Sequence, residues 1–226
     1  MKLSRTLPTA ERWAHHLVVE LPRPCETVSS APLNGGFGRH RFVLNRSVDK
    51  NWRCADPRSD VQRYAEHLGL PAAETVGLIT AVSMAELRYA GAARDGWHVH
   101  TLATVGVGNA AAAGGKFPLD APKVDEPQTH AGTINLIVLL EGYLSSSALI
   151  GAVQSATEAK VAVLRAAGVT TRFGEAATGT TTDTVTLVNL VPEGSQTRSS
   201  LYAGLATVPG FLVAQTVHHA LSAALS

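Results

Sequence analysis

The sequence predicts an α+β protein, in which a mixed β-sheet is packed with α-helices in layers. Three observations point there. Strand-like and helix-like stretches alternate along the chain, as they do in packed layers of sheet and helix. Hydrophobic residues make up 45% of the 226 and charged residues 16%, which suits one substantial core beneath a modestly charged surface. Lastly, the stretch 116–131 holds Pro118, Pro122 and Pro127 among several charges. It reads as a mobile loop within a single domain covering 1–226.

Residues 1–30 read as one or two irregular strands ending at Ser29-Ser30. Asn34 to Gly38 form a flexible loop, and Arg41 to Asn45 a strand. Asp56-Pro57 predicts a helix start, with the aspartate as cap and proline in the first turn. Val61, Tyr64, Ala65 and Leu68 follow at helical spacing, and Gly69 closes the element. Val76–Ala81 and Val99–Val107 read as strands, the second running into Gly108-Asn109. Beyond the Pro-rich loop come a buried strand over Gly132–Leu140 and a helix from the Ser145–Ser147 run to Ala167, ended by Gly168. Gly174–Thr182 is a Gly/Ala/Thr loop, and Asp183 opens a strand through Val191. Val213, Val217, Leu221 and Leu225 recur every fourth position, the stripe of a C-terminal packing helix. A weak internal echo sets strand 41–45, helix 57–68 and the strand leading to Asn109 against strand 132–140, helix 146–167 and loop 178–183. It suggests a duplication.

Composition excludes several functions. A net charge of +1 with dispersed Lys and Arg gives no footprint for nucleic acid or an acidic membrane. The short cluster Arg39, Arg41 and Arg46 reads as a substrate-facing or a solvated patch. Cys25 and Cys54 make neither a disulfide framework nor a metal knuckle and suit a reducing compartment. The N-terminus lacks a signal-peptide pattern, because His15, His16 and Glu20 interrupt its apolar run. Residues 199–226 carry no acid or base, but Pro209, Gly210, Gln215, His218 and His219 argue against a membrane span. The expectation is a soluble cytoplasmic protein, with a homo-oligomer left open. Among the nine histidines, His98 and His100 share a strand face, yet no carboxylate or cysteine stands at ligand spacing, so no metal is expected. Gly-x-Ser-x-Gly is absent, which removes the α/β-hydrolase elbow.

Four stretches are more specific. They are Ser29-Ser30-Ala31-Pro32-Leu33-Asn34-Gly35-Gly36 with Asn45 downstream, and Gly77-Leu78-Ile79-Thr80-Ala81. Then come Gly132-Thr133-Ile134-Asn135 followed by Ala156-Thr157-Glu158-Ala159-Lys160, and Ala177-Thr178-Gly179-Thr180-Thr181-Thr182-Asp183 with Tyr202-Ala203-Gly204 beyond. In order and spacing they resemble the adenosylcobinamide amidohydrolase family, from about residue 29 to the end. The resemblance implies hydrolysis of the amide linking an aminopropanol to adenosylcobinamide, giving adenosylcobyric acid in cobalamin salvage, with a small corrinoid as partner and no cofactor. Two segments depart from the family pattern, Thr104-Val105-Gly106-Val107-Gly108-Asn109 and Val188-Asn189-Leu190, and the Pro-rich insert at 116–131 is particular to this protein. They leave room for the same fold serving another amide-cleaving or ring-forming step in specialised metabolism, or a corrinoid-binding module without catalysis.

Candidate residues follow from chemistry. On a wheel advancing about 100° per residue, Ile150, Val153, Thr157, Val161 and Leu164 fall on one face with Lys160, and Glu158 lies opposite. An inward lysine needs a partner or a task, because burial penalises its charge; otherwise it snorkels past the core edge. Lys160 and Asp183 are therefore the expected pair. Asp183 either holds the lysine or activates water, and Glu158 is included because the resembled motif contains it. Thr180 is a candidate nucleophile activated by Lys160, with cleavage of the Gly179–Thr180 bond as a remoter route. Thr80, Thr157, Thr178 and Thr181 offer hydroxyls for substrate, and Asn45, Asn109 and Asn135 offer amides at strands or their ends. Strand-end capping and a tight Thr-rich turn are the ordinary alternatives for these residues.

Overall fold

The computed structural model describes residues 15–116, 132–190 and 199–226. The Pro-rich stretch expected as a mobile loop therefore lies outside the described residues except for Lys116. In chain order the elements are β1 (His16–Ser29), β2 (Gly36–Ser47), α1 (Pro57–His67), β3 (Thr75–Thr80), β4 (Arg88–Arg94), β5 (Trp97–Val105), β6 (Ala110–Ala111), β7 (Ile134–Glu141), β8 (Tyr143–Leu144), α2 (Ser146–Ala166), β9 (Gly179–Thr180), β10 (Thr184–Leu190), β11 (Ser199–Ser200) and α3 (Val208–Leu225). Seven strands form a mixed sheet in the order β3-β2-β1-β10-β7-β5-β4. β2 with β3 and β10 with β7 are parallel, and the other pairs are antiparallel. This is the α+β architecture expected from the sequence.

Local chemistry sets the boundaries. The Asp56 carboxylate accepts from the Ser59 N–H at 3.0 Å and caps α1. These bonds to Ser59 hold the Asp56 carboxyl below the usual aspartate range. Gly69 follows with φ +74°, the left-handed step that ends a helix. Ser145 caps α2 by accepting from the Ala148 N–H at 3.2 Å. β4 has no counterpart in the sequence expectation. Its hairpin with β5 turns on Asp95 and Gly96, at φ +50° and +79°, the Asp-Gly pair that a two-residue turn of this hand favours.

Every residue of β7 except the terminal Glu141 is buried, as a central strand covered on both sides requires. Its alternate residues divide the core. Leu136, Val138 and Leu140 pack with Val185 and Leu187 of β10 under α2 and α3. Ile137 and Leu139 face the other way, with Val19, Val43, Val76, Leu78 and Leu102. A smaller cluster of Leu33, Leu44, Val61 and Ala65 seats α1.

The second face is strongly curled. β1 and β10 separate β2 from β7, so a flat sheet would hold those strands about 14 Å apart at about 4.8 Å per strand. Instead the Asn135 Nδ2 of β7 donates to the Asn45 Oδ1 of β2 at 2.8 Å and to the Ile79 carbonyl of β3 at 3.0 Å. The Asn45 Nδ2 donates in turn to the Thr104 Oγ1 of β5 at 3.1 Å. The sheet thus rolls until its β3 side meets β7, and the apolar residues of this face fill the inside of the roll.

The wheel expectation for α2 needs correction. Its buried stripe is Ala148, Leu149, Ala152, Ser155, Ala156, Ala159, Lys160, Val163 and Leu164, whereas Ile150 is 49% exposed and Thr157 is exposed. The small alanines let the helix approach the sheet and α3 closely, so the inward face is the alanine stripe, not the β-branched one. Lys160 is inward on both readings. In α3, Val213, Val217 and Leu221 are buried as the fourfold repeat implies. No helix among the described residues is long and apolar enough to cross a membrane. Each half of the chain does contain a parallel strand–helix–strand unit, β2-α1-β3 and β7-α2-β10. The first closes on β3, not on the strand leading to Asn109 that the echo selected. That strand, β5, runs antiparallel to β7.

Candidate active site

A cleft of about 480 Å³ opens at the mouth of the rolled sheet, within the range of small-molecule sites. Val48, Asp49, Trp52 and Pro57, from the stretch after β2, line it. Asn109, Gly132, Thr133, Thr182 and Asp183 line it too, and Ser30, Pro32, Ile79, Thr80, Ala81 and Thr184 complete the lining.

Glycine and asparagine chemistry in the turn after β1 brings Ser30 and Pro32 there. Asn34 adopts φ +53°, and its Nδ2 donates to the Ala72 and Thr75 carbonyls at 2.7 and 2.8 Å. This ties the turn to the start of β3. Ser30 Oγ accepts from the Val185 N–H at 3.1 Å, and Ser29 Oγ bonds Thr186 Oγ1 at 2.7 Å. The turn is thereby fixed to β10 as well.

Asp183 is the most heavily bonded group of the cleft. Its Oδ1 accepts from the Ile134 N–H at 3.2 Å and from the Thr180 hydroxyl. Its Oδ2 accepts from the Thr180 N–H at 3.1 Å and from the Lys160 ammonium. The Lys160 and Asp183 side chains are 9% and 13% exposed, so this ion pair is largely shielded from water and its geometry is fixed by the backbone on either side. Gly179 packs against the pair so closely that an added Cβ would lie 2.8 Å from Lys160 Nζ and nearer still to Asp183 Oδ2.

Threonines extend the network. Thr182 Oγ1 bonds Thr133 Oγ1 at 2.6 Å and donates to the Gly132 carbonyl at 3.1 Å. Asn109 Nδ2 donates to Thr181 Oγ1 at 2.8 Å, while its Oδ1 is buried without a partner among the described residues. Thr178 Oγ1 accepts from the Ala113 N–H at 2.8 Å. Short pairing of β6 with β9 holds this loop in place.

The expected site residues fall into four groups. Lys160, Asp183 and Thr180 meet in one cluster, and Thr80 and Asn109 line the cleft beside it. Asn45 and Asn135 are 1% and 0% exposed and join the walls of the roll from within; the Asn135 Oδ1 has no partner among the described residues. Thr178 and Thr181 brace the loop through Ala113 and Asn109. Thr157 and Glu158 are exposed outside the cleft lining, with the Thr157 hydroxyl donating to its own helix at the Val153 carbonyl. Of the arginine cluster, Arg46 pairs with Asp60 at 2.5 Å and lies over Tyr64, Arg41 pairs with Glu20, and Arg39 donates to the Pro24 carbonyl; none of the three lines the cleft.

Sequence reasoning misses Asp49 and Trp52, because a polar stretch between a strand and a helix cap carries no periodic signal. It also misses Glu141, which lies 3.1 Å from His98 and 3.9 Å from His100 across the β5–β7 pair. Burial holds His100 below the usual histidine range, against the pull of Glu141. No group of three His, Cys, Asp or Glu among the described residues is placed to hold a metal ion.

Sequence comparison with known proteins identifies the family. The family model described as adenosylcobinamide amidohydrolase matches residues 3–226. A curated adenosylcobinamide amidohydrolase from Methanosarcina mazei is 30% identical over 205 residues, covering 88% of this chain and 90% of that protein. Among solved structures, the PH0078 protein from Pyrococcus horikoshii OT3 aligns at TM-score 0.44 and 9% identity, over 94% of this chain and 73% of that one. The chain therefore belongs to the adenosylcobinamide amidohydrolase family.

Proposed function

We propose that this protein hydrolyses the amide joining the aminopropanol to adenosylcobinamide, releasing the amino alcohol and adenosylcobyric acid for cobalamin salvage. The observation that carries the reading is the Asp183 cluster. It draws on the Lys160, Ile134 and Thr180 stretches at once and stands in the wall of a cleft that the remaining two stretches also line. Family membership supplies the reaction class, an amidohydrolase acting on a C–N bond.

The dimensions suit an arm of the substrate better than the whole of it. About 480 Å³ accommodates an aminopropanol-amide side chain, and the corrin ring then lies across the mouth. Trp52, Val48 and Pro32 offer apolar surface to the arm, and the hydroxyls of Thr80, Thr133, Thr182 and Thr184 offer polar contacts to the amide. Water is the nucleophile, and Lys160, Asp183 and Thr180 fix the backbone around which the amide is oriented. Residues 1–226 act as one amidohydrolase-like domain in this reading. The test is incubation with adenosylcobinamide and quantification of released aminopropanol. Folded protein that releases none removes the proposal.

A further inference from the structure

We propose that Asp49, which lines the same cleft as Asp183, is the group that accepts the proton of the attacking water and returns it to the leaving amine. The proposal rests on the hydrolase reading above and names a working part of that same site.

A carboxylate offers about four acceptor positions. Asp183 receives the Ile134 N–H and the Thr180 hydroxyl on Oδ1, and the Thr180 N–H and the Lys160 ammonium on Oδ2. Its positions are filled by the protein itself. For Asp183 to take a proton from water, at least one of these donors would have to leave, and two of them are backbone amides fixed by β7 and the β9 turn. Its geometry suits a positioning residue, which favours the first of the two roles the sequence leaves open, holding the lysine.

Hydrolysis still requires a proton acceptor within reach of the amide. Among the described residues, Asp49 and Asp183 are the titratable side chains that line the cleft. Asp49 is bonded quite differently. Its Oδ1 accepts from the Asn51 N–H at 2.8 Å, and its backbone carbonyl accepts from the Trp52 N–H at 2.9 Å. One turn therefore fixes the carboxylate while Oδ2 has no donor among the described residues. The same turn places Trp52 in the cleft lining, and Asp49 itself is open to solvent, so water reaches the carboxylate.

The step balances with water as the co-reactant. The water oxygen bonds to the amide carbon while the Asp49 carboxylate takes a water proton. The tetrahedral intermediate then collapses with cleavage of the C–N bond, and protonated Asp49 delivers that proton to the departing nitrogen. The products are a carboxylic acid, which ionises in solvent, and the free amine.

The experiment compares wild type, Asp49→Asn and Asp49→Ala in adenosylcobinamide hydrolysis, with kcat and KM determined separately. Asp49→Asn keeps an oxygen for the Asn51 N–H, so the turn and the fold are retained, as a thermal melt checks. The expected result is a kcat at least 100-fold lower for Asp49→Asn, the scale of general base catalysis, with KM within threefold of wild type. Formate is expected to restore turnover to Asp49→Ala by standing in for the missing carboxylate. A fall smaller than tenfold in Asp49→Asn, or no rescue of Asp49→Ala by formate, overturns the role of Asp49 and leaves the hydrolase reading intact. A folded wild-type enzyme that cleaves no adenosylcobinamide overturns both.

Discussion

Gly179→Ala tests the Asp183 cluster by steric means alone. The backbone at Gly179 does not take the left-handed conformation, so alanine is compatible with its main chain and the only change is one methyl group. That methyl would lie 2.8 Å from Lys160 Nζ, where ordinary contact begins at 3.4 Å. A shift of at least 0.6 Å is therefore required on the lysine side, and more on the carboxylate side. Neither neighbour has room, since Asp183 is tied to the Ile134 and Thr180 amides and Lys160 is 7% exposed within the α2 core face. Over-packing of this kind costs about 1–3 kcal/mol, and weakening a shielded ion pair adds to it, so a loss of about 3 kcal/mol is expected. A misplacement approaching 1 Å near the chemistry costs about 100-fold in rate. Urea denaturation and kcat for adenosylcobinamide hydrolysis measure the two effects. Gly204→Ala is the control, because its Cβ would meet nothing within 4 Å and should leave both values unchanged. A Gly179→Ala enzyme that matches wild type in both assays refutes the tight cluster.

Three other variants probe separate parts of the account. Lys160→Met leaves Asp183 without its ammonium partner in a site where the two side chains are 9% and 13% exposed; stability should fall by about 3 kcal/mol, read from the urea midpoint. Asn135→Ala removes the donor shared by Asn45 Oδ1 and the Ile79 carbonyl. Leaving buried acceptors unpaired costs about 1–3 kcal/mol, so the melting temperature should drop while the cleft residues themselves are untouched. Asp56→Ala should lower the melting temperature at pH 7, with the difference shrinking as the medium is acidified below about pH 4. The sign follows from the folded-state carboxyl being held below its ordinary range. Its capping contribution is complete above the unfolded value and is lost as pH falls through the folded one. A constant difference from pH 7 to 3 would contradict that assignment.

Much of the fold is legible in the residues because capping and turn chemistry are local. Asp56-Pro57, Gly69, Ser145 and Gly168 mark helix ends through bonds and dihedrals that involve only near neighbours. The inward placement of Lys160 also follows from helical spacing, although the face around it does not, because an alanine stripe carries little hydrophobic signal while forming the closest contact. The roll of the sheet is not legible. It depends on Asn45, Thr104 and Asn135 meeting from strands distant in sequence, and each reads separately as a strand-end amide or hydroxyl. The same limit hides Asp49 and Trp52, whose place in the cleft is set by where β2 ends relative to β7 and β10. Asp95-Gly96 is a different case, since the dipeptide is a local hairpin signal and its two flanking strands pair as that signal requires.

The central claim is that this cleft cleaves the aminopropanol amide of a corrinoid. Its most direct test is to incubate purified wild-type protein with adenosylcobinamide and quantify aminopropanol and adenosylcobyric acid together over time. Both products should accumulate in equal amounts, at a rate that depends on enzyme concentration. Folded protein, verified by its cooperative melt, that yields neither product would contradict it.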